Sequence, residues 1–305
     1  MSDASVNDAG RFSVAAAEHA LRVVCCASGL DHTNAELMRL GENALFRLSS
    51  KPVVVRIART MDYWADVVKE VGVAHWLAEH QVPAAQAHDV PQPLRAGGHP
   101  VTFWRYIPGR PGNRGDMAAL GAVLRRLHQT PCPTTFDLPR ADIFGRVDRQ
   151  IESAPVASAD KDFLLRRLEE LRSEVSRLRY PLSPTVTHGD AHVKNLMLCD
   201  SQSILIDFER FGWGQPEWDL ALTATEYQTA GWWTPAEYGE FAEAYGYDVT
   251  SWSSGFDVLR AANEVMLTTW LMQNVDESAE VATEYKTRMR TIRGIASASD
   301  RWHPF

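Results

Sequence analysis

Apolar residues in the first third of the chain follow two spacings, and each predicts a different kind of element. Residues 15–26 are rich in helix formers, which predicts an amphipathic helix. The runs GENALFRL and VVVRIA are rich in β-branched and aromatic residues and are separated by Ser-Ser-Lys-Pro, which predicts a strand, a turn and a second strand. Residues 62–80 return to helical spacing, with Asp62 as the expected N-cap and Pro83 beyond the end. The run HPVTFWRYIPG predicts one more strand.

The rest of the chain is dominated by helical spacing. Residues 118–128 and 161–178 predict two helices, and most of residues 220–293 follows the same period with many tryptophans. A proline-marked break, YPLSPT, interrupts this pattern and leads into TVTHGD, and the short apolar run SILIDFE predicts a strand. A strand-rich first third followed by a helix-rich remainder predicts an α+β protein with two lobes.

Composition narrows the class of partner. A length of 305 residues favours two domains, and 45% apolar with 23% charged residues is ordinary for a globular protein. The net charge of -8 argues against nucleic acid, which needs a basic surface, and is compatible with a cationic substrate. No run is apolar enough to span a membrane, and residues 1–11 are polar and acidic, so we expect a cytoplasmic protein with a short frayed tail. The four cysteines form no metal-binding spacing and predict buried free thiols.

The stretch that carries chemistry lies between residues 187 and 222. Asp190 follows a His-Gly pair, Asn195 comes after four more residues, and Asp207 stands at the end of an apolar run. Carboxylate and amide oxygens are the hard ligands that magnesium takes from protein, with water and phosphate completing its shell. A separate carboxylate nearby can accept the proton of an attacking hydroxyl.

The pattern H-G-D-x-x-x-x-N followed by I-D-F-E has the spacing of the kinase catalytic loop and metal-binding strand. It resembles the aminoglycoside-phosphotransferase family, whose fold is related to that of protein kinases. The resemblance implies that Asp190 is the general base and that Asn195 and Asp207 bind Mg²⁺, with ATP or GTP as co-substrate. It also implies that His188 orients the loop, and His192 fits the family's usual H-G-D-x-H form.

The same resemblance implies how the lobes are used. Residues 1–105 would form a nucleotide-binding lobe with an N-terminal helix, an antiparallel sheet and one helix like the αC helix of kinases. Residues 106–305 would form a helical lobe with the catalytic loop and the acceptor pocket. The hinge between them would fall near Trp104, Arg105 and Tyr106, whose backbone would contact adenine.

A phosphate clamp is expected upstream. Protein kinases pair a basic residue on the third strand with a helix glutamate, and here VVVRIA offers Arg56 while the next helix offers Glu70. Arginine can hold phosphate with its forked guanidinium, so the role survives the change from lysine. The turn at Gly41, Glu42 and Asn43 lacks the G-x-G-x-x-G pattern but is expected to cover the phosphates.

The segment GQPEWDLAL resembles the family's Gly-x-Pro-x-x-Asp-Leu-Ala segment. Asp219 within it is expected at a helix start, where it would cap free N–H groups and brace the catalytic loop. Contact with a cationic substrate is the other interpretation of this residue.

The acceptor is expected to be small. Only eleven residues separate Asp207 from Asp219, which leaves no room for the long activation segment on which protein kinases bind peptides. Carboxylates and aromatic rings of the C-terminal helices are candidates for the acceptor pocket: Glu217, Glu226, Asp248, Glu264, Asp276, Glu277, Tyr227, Trp232, Trp233, Trp252 and Trp270.

Three functions stay open on the sequence alone. The first is phosphorylation of a hydroxyl on a small molecule such as an antibiotic or an aminoglycoside-like compound. The second is phosphorylation of Ser or Thr in a short precursor peptide, and the third is a non-catalytic nucleotide-binding scaffold. Nucleotide and a small hydroxylated substrate are the expected partners, without nucleic acid or membrane, and the protein is expected to be a monomer or a homodimer.

Overall fold

The structure is a computed structural model that describes residues 12–41, 43–200, 202–297 and 300–304. The N-terminal tail up to Arg11 lies outside the described residues, as does Glu42. The chain divides into two compact units. The first takes the described residues up to Arg110 with Thr134–Asp137 and Met197–Glu209, and the second takes the rest.

The elements of the first unit in chain order are α1 (Val14–Ala27), β1 (Glu36–Leu40), β2 (Asn43–Arg47), β3 (Val53–Ala58), α2 (Trp64–Glu79), β4 (Leu94–Ala96) and β5 (His99–Arg105). Its five strands form one antiparallel sheet in the order β1-β2-β3-β5-β4. The late segment of this unit adds most of β8 (Leu196–Cys199) and all of β9 (Gln202–Leu205).

The alternation of β3 decides which side chains enter the core of the first unit. Val53, Val55 and Ile57 are buried, so their intervening neighbours project to the opposite face. The buried side joins residues of α1 and β5 in one apolar cluster. Arg56 therefore stands on the face away from that cluster, because side chains of a strand alternate with a period of two.

Several local predictions for the first unit need correction. The strands β1 and β4 were not anticipated, since β1 is mostly exposed and shows no apolar alternation. Asp62 is not the N-cap of the long helix. It lies in a 3₁₀ turn (Met61–Tyr63), where its carboxylate accepts a hydrogen bond from the Thr60 hydroxyl, and α2 follows that turn without a side-chain cap.

The cysteine prediction holds only in part. All four thiols are free, but Cys25 alone is buried, while Cys26 and Cys132 are exposed. Adjacent residues of a helix point in different directions, so α1 can bury only one of its two cysteines.

The second unit is mostly helical. Its elements in chain order are α3 (Met117–His128), α4 (Val147–Ser153), α5 (Ser158–Ser176), β7 (Thr185–Thr187), β10 (Gly212–Gly214), α6 (Pro216–Thr225), α7 (Pro235–Tyr245), α8 (Ser253–Met272) and α9 (Ala279–Ile292). The boundary between the two units along the chain falls within a two-residue strand, β6 (Arg110–Pro111). A π-helical turn (Glu226–Ala230) continues α6.

Two packing arrangements organise the second unit. The helix α8 is central and contacts α4, α5, α6 and α9. The helix α3 lies close against α7 at Gly121, where a Cβ atom would collide with the Phe241 carbonyl oxygen. Strands β7 and β10 pair as an antiparallel ribbon, with Thr187 opposite Gly212.

Among the described residues, no helix is both long and apolar enough to cross a membrane.

Candidate active site

The predicted catalytic loop leaves β7 at Thr187 and runs through His188 and Gly189 to Asp190. Gly189 has φ +81°, and a Cβ there would come within 2.5 Å of the Arg210 carbonyl oxygen. Glycine is therefore required at this position both by backbone conformation and by the close approach of a neighbouring chain segment.

Asp219 holds the backbone of this loop. Its Oδ2 accepts a hydrogen bond from the His188 N–H at 2.7 Å, and its Oδ1 accepts one from the Gly189 N–H at 2.8 Å. The ring of His128 lies 3.0 Å from the same Oδ2 and 2.8 Å from the Tyr245 hydroxyl. Asp219 thus braces the loop as expected, although it lies in the first turn of α6 without capping it.

The environment keeps Asp219 ionised. Burial acts to raise its pKa, but the hydrogen bond with His128 and those from the loop backbone outweigh burial, and the pKa lies below its usual value. A carboxylate that accepts several hydrogen bonds is stabilised in its charged form.

Asp190 and Asn195 lie in contact at the end of the loop. The Asn195 side-chain nitrogen donates to the Asp190 carbonyl oxygen at 2.8 Å and to its Oδ2 at 3.1 Å. The Asp190 side chain is 39% exposed, so a hydroxyl group can reach it. His192 Nε2 lies 3.5 Å from the same Oδ2.

The charge state of Asp190 suits a hydrogen-bond acceptor. Burial acts to raise its pKa, but the hydrogen bond and charge of His192, with Arg210 and His188, bring the pKa to about 2. Buried His188 accepts the Asp190 N–H at its Nδ1, 3.3 Å away. This contact suits the predicted orienting role of His188, which stays a prediction.

The oxygen chemistry of the two expected metal ligands fits magnesium. Because the Asn195 nitrogen is held by Asp190, its amide presents oxygen on the other side, the atom that Mg²⁺ prefers. Asp207 belongs to the first unit and has φ +68°. No group of three His, Cys, Asp or Glu side chains within the described ranges is arranged to hold a metal alone.

Asp207 is positioned by the strand that precedes it. The Leu205 N–H donates to the Pro83 carbonyl at 2.9 Å, and the Leu205 carbonyl accepts from the Ala85 N–H at 2.8 Å. These two bonds fix the end of β9 to the chain just after α2. The convergence of Asp207 with Asn195 on one ion stays a prediction.

The first unit brings Arg56 and Glu70 together as an ion pair. Arg56 also lies 3.9 Å from Glu209, and Asp207 is near enough to act on its charge. With its amide oxygen turned toward Arg56, Asn43 accepts hydrogen bonds from Nη2 at 3.1 Å and Nε at 3.3 Å. Glu70, Glu209 and Asn43 thus surround the Arg56 guanidinium and fix its orientation.

Glu70 has one free oxygen. Its Oε1 is buried and has no hydrogen-bond partner within the described part of the chain. Burial raises the pKa of Glu70 above its usual value despite the neighbouring Arg56. The sequence predicted the pairing of Arg56 with Glu70. It gave no sign that Glu209 also lies near Arg56.

The expected hinge residues are packed within the first unit. The Trp104 indole donates to the Thr102 hydroxyl at 2.9 Å and its ring meets Phe208 edge-on. Tyr106 lies under the Arg47 guanidinium, 4.1 Å from its ring centroid. Contacts of Trp104 and Tyr106 with adenine stay a prediction.

Glu226 is a buried carboxyl group in the π-helical turn after α6. Its Oε2 accepts a hydrogen bond from the Trp233 indole at 2.9 Å, and burial raises its pKa to about 7. His192 and Asp190 are near enough to act on its charge. Of the other acidic candidates for the acceptor pocket, Glu217 makes a structural contact, since its Oε1 accepts a hydrogen bond from the Leu182 N–H.

Two residues of this region escaped the sequence analysis. His128 contacts Asp219 from a helix 91 positions earlier, and no local pattern marks it. Arg210 directly follows the I-D-F-E run and lowers the pKa of Asp190, but an isolated arginine there carries no recognisable signal.

Comparison with known proteins supports one family. The model of the phosphotransferase enzyme family (APH) matches residues 40–261. No curated protein sequence matches the chain. An amicoumacin kinase, hAmiN, solved with AMP-PNP, Ca²⁺ and Ami, has a TM-score of 0.70 and 16% identity, over 94% of this chain and 98% of that one.

Two further solved structures have the same fold. Spectinomycin phosphotransferase APH(9)-Ia has a TM-score of 0.60 and 16% identity, over 92% of this chain and 94% of that one. A choline/ethanolamine kinase family protein from Mesorhizobium loti has a TM-score of 0.58 and 18% identity, over 88% and 90%. The predicted α+β, protein-kinase-like fold is confirmed. The chain belongs to the APH family of phosphotransferase enzymes.

Proposed function

We propose that the protein transfers the γ-phosphate of ATP or GTP to a hydroxyl group of a small molecule, with Asp190 as the base. The observation that carries this proposal is the state of Asp190, an ionised and partly exposed carboxylate in a loop fixed by Asp219. Such a group can orient an acceptor hydroxyl and take its proton as the new bond to phosphorus forms.

The other residues would act by position and charge. Arg56, oriented by Glu70 and Asn43, would clamp the nucleotide phosphates. Asn195 and Asp207 would hold Mg²⁺, which supplies charge neutralisation on the phosphate oxygens when bound. His188 would keep the loop backbone in place beside Asp190.

A small acceptor follows from the short connection between Asp207 and Asp219, which offers no platform for a folded protein substrate. An antibiotic or an aminoglycoside-like compound is one such acceptor, and known relatives of this fold act on several chemical classes, so fold alone does not select among them. Resistance and biosynthesis are both compatible with this chemistry.

The test is an ADP-release assay at saturating Mg-ATP and Mg-GTP, first without acceptor and then with pools of hydroxylated antibiotics, amino alcohols and Ser- or Thr-containing peptides. We expect one small-molecule pool to accelerate turnover and mass spectrometry to find an added phosphate on it. Acceleration by peptides alone would favour the peptide kinase. Nucleotide binding without turnover in any pool would favour the scaffold and overturn the proposal.

The metal assignment has its own test. Asp207→Ala should weaken the binding of Mg-AMP-PNP by at least about tenfold, because one carboxylate ligand is lost. In EDTA its affinity for the nucleotide should equal that of the wild type. Asp200→Asn is the matched control, since Asp200 is an exposed acid on the neighbouring turn. Equal Mg-dependent affinity in Asp207→Ala would remove Asp207 from the metal site.

A further inference from the structure

A small cavity lies behind the catalytic loop in the second unit. Its volume is about 20 Å³, and its wall contains Gly189 from the loop, Asp219 from α6, Asn263 from α8, and Asp142 with Arg210. Apolar side chains of α6, α8 and the adjoining loops complete the wall. The cavity therefore borders the residue next to Asp190 on one side and the central helix on the other.

Asn263 is the unusual part of that wall. Its side chain is 1% exposed, and its Nδ2 has no hydrogen-bond partner among the residues that the structure describes. A buried amide that gives up water without gaining another partner is strongly unfavourable. A partner for this nitrogen must therefore be sought inside the cavity that the side chain lines.

The size and chemistry of the cavity select water as that partner. A cavity needs roughly 10–15 Å³ to hold one water molecule, and cavities that stay dry are lined by apolar groups. Here the wall is not purely apolar, since it includes the charged residues Arg210, Asp142 and Asp219 besides Asn263. A water molecule can donate and accept, whereas a cation or an anion would meet groups of its own charge.

We propose that this cavity holds one ordered water molecule bound by Asn263 Nδ2, and that Asn263 thereby acts as a positioning residue for the catalytic loop. Asp219 fixes the backbone of His188 and Gly189 by direct hydrogen bonds. The water fills the space beneath Gly189, so the loop cannot settle into it. Asn263 does not touch the substrate and works only through this contact.

A crystal structure at a resolution that shows ordered water tests the site directly. We expect a spherical density peak about 3 Å from Asn263 Nδ2 in the wild type and no peak in Asn263→Leu, whose side chain fills the space. A wild-type cavity without density would overturn the proposal. The result of this test on the water site does not depend on the proposed kinase activity.

Kinetics test the positioning role, which rests on the proposed function. Asn263→Leu should lower kcat about tenfold, the scale of one lost hydrogen bond, while the KM for nucleotide stays unchanged. Asn263→Ser keeps a donor and leaves room for a water, so it should recover most of the lost kcat and also serves if the leucine variant folds poorly.

The matched control is Thr268→Val on the same helix, because Thr268 is also buried but bonds within the helix, to the Glu264 carbonyl. It should change the melting temperature without changing kcat. Wild-type kcat in Asn263→Leu would overturn the positioning role. An absence of turnover in the wild type with every acceptor would instead overturn the proposed function, and the crystallographic result would still decide the water site.

Discussion

The two ends of one helical stretch carry two buried carboxyl groups in opposite states. Asp219, in the first turn of α6, is 1% exposed and has a lowered pKa. Glu226, in the π-helical turn that continues the helix, is 6% exposed and has a pKa raised to about 7. Burial is nearly equal, so burial alone does not set the charge.

The number of hydrogen-bond donors explains the difference. Asp219 accepts two backbone N–H groups of the catalytic loop and also contacts the ring of His128. Glu226 accepts one side-chain bond, from the indole of Trp233. Desolvation raises the pKa of a buried acid until enough donors stabilise its charged form. Asp219, with several donors, therefore stays charged and holds the catalytic loop. Glu226, with one side-chain donor, titrates near neutral pH.

The largest effect on stability is expected when the brace is removed. Asp219→Ala leaves two loop N–H groups and His128 without their buried acceptor, which should lower the free energy of unfolding by about 3–5 kcal/mol. Denaturant unfolding monitored by tryptophan fluorescence measures it. A loss below about 1 kcal/mol would mean that Asp219 is not the support of the loop.

The second effect is a dependence of stability on pH. The pKa of Glu226 rises from 4.5 to about 7 on folding, so the folded state binds the extra proton. The stabilisation from this proton is complete below pH 4.5 and disappears as the pH rises through 7, and it amounts to about 3 kcal/mol.

Glu226→Gln sharpens this test because glutamine keeps an oxygen for Trp233 and does not titrate. The free energy of unfolding of the wild type minus that of the variant should fall between pH 4.5 and 7. The subtraction removes the contribution of all other groups. A flat difference across this range would show that folding does not raise the pKa of Glu226 and that the contrast with Asp219 is absent.

The smallest effect concerns the single donor of Glu226. Trp233→Phe should raise the pKa of Glu226 further and move the upper end of the same pH window upward, with a loss of about 1 kcal/mol at pH 8. Trp232→Phe is the control, since that indole donates to the Trp302 carbonyl instead. An equal shift in both variants would indicate a general loss of packing.

Parts of the site that are local in sequence could be predicted. Asn195 contacts Asp190 because five positions bring them into one loop, and the alternation of β3 places Arg56 opposite the core, beside a glutamate one helix away. The kinase-like spacing of Asp190, Asn195 and Asp207 was enough to identify the family, which the match to residues 40–261 confirms.

Other parts depend on packing between distant segments. His128 and Asn263 reach the region of the catalytic loop from helices whose local pattern indicates only burial. The edge strand β1 has no apolar alternation that would mark it, and β4, with three residues, is too short for its pattern to stand out. The expected cap at Asp62 failed because a 3₁₀ turn precedes the helix and takes that residue into its own geometry.

The central claim is that Asp190 is the base of a phosphoryl transfer. Its most direct test is kcat of Asp190→Asn with the acceptor found in the screen, measured together with the affinity for Mg-AMP-PNP and the melting temperature. The amide cannot take a proton, so we predict that kcat falls by about 10³-fold or more while nucleotide affinity and folding are retained. Full kcat in this variant would contradict the account.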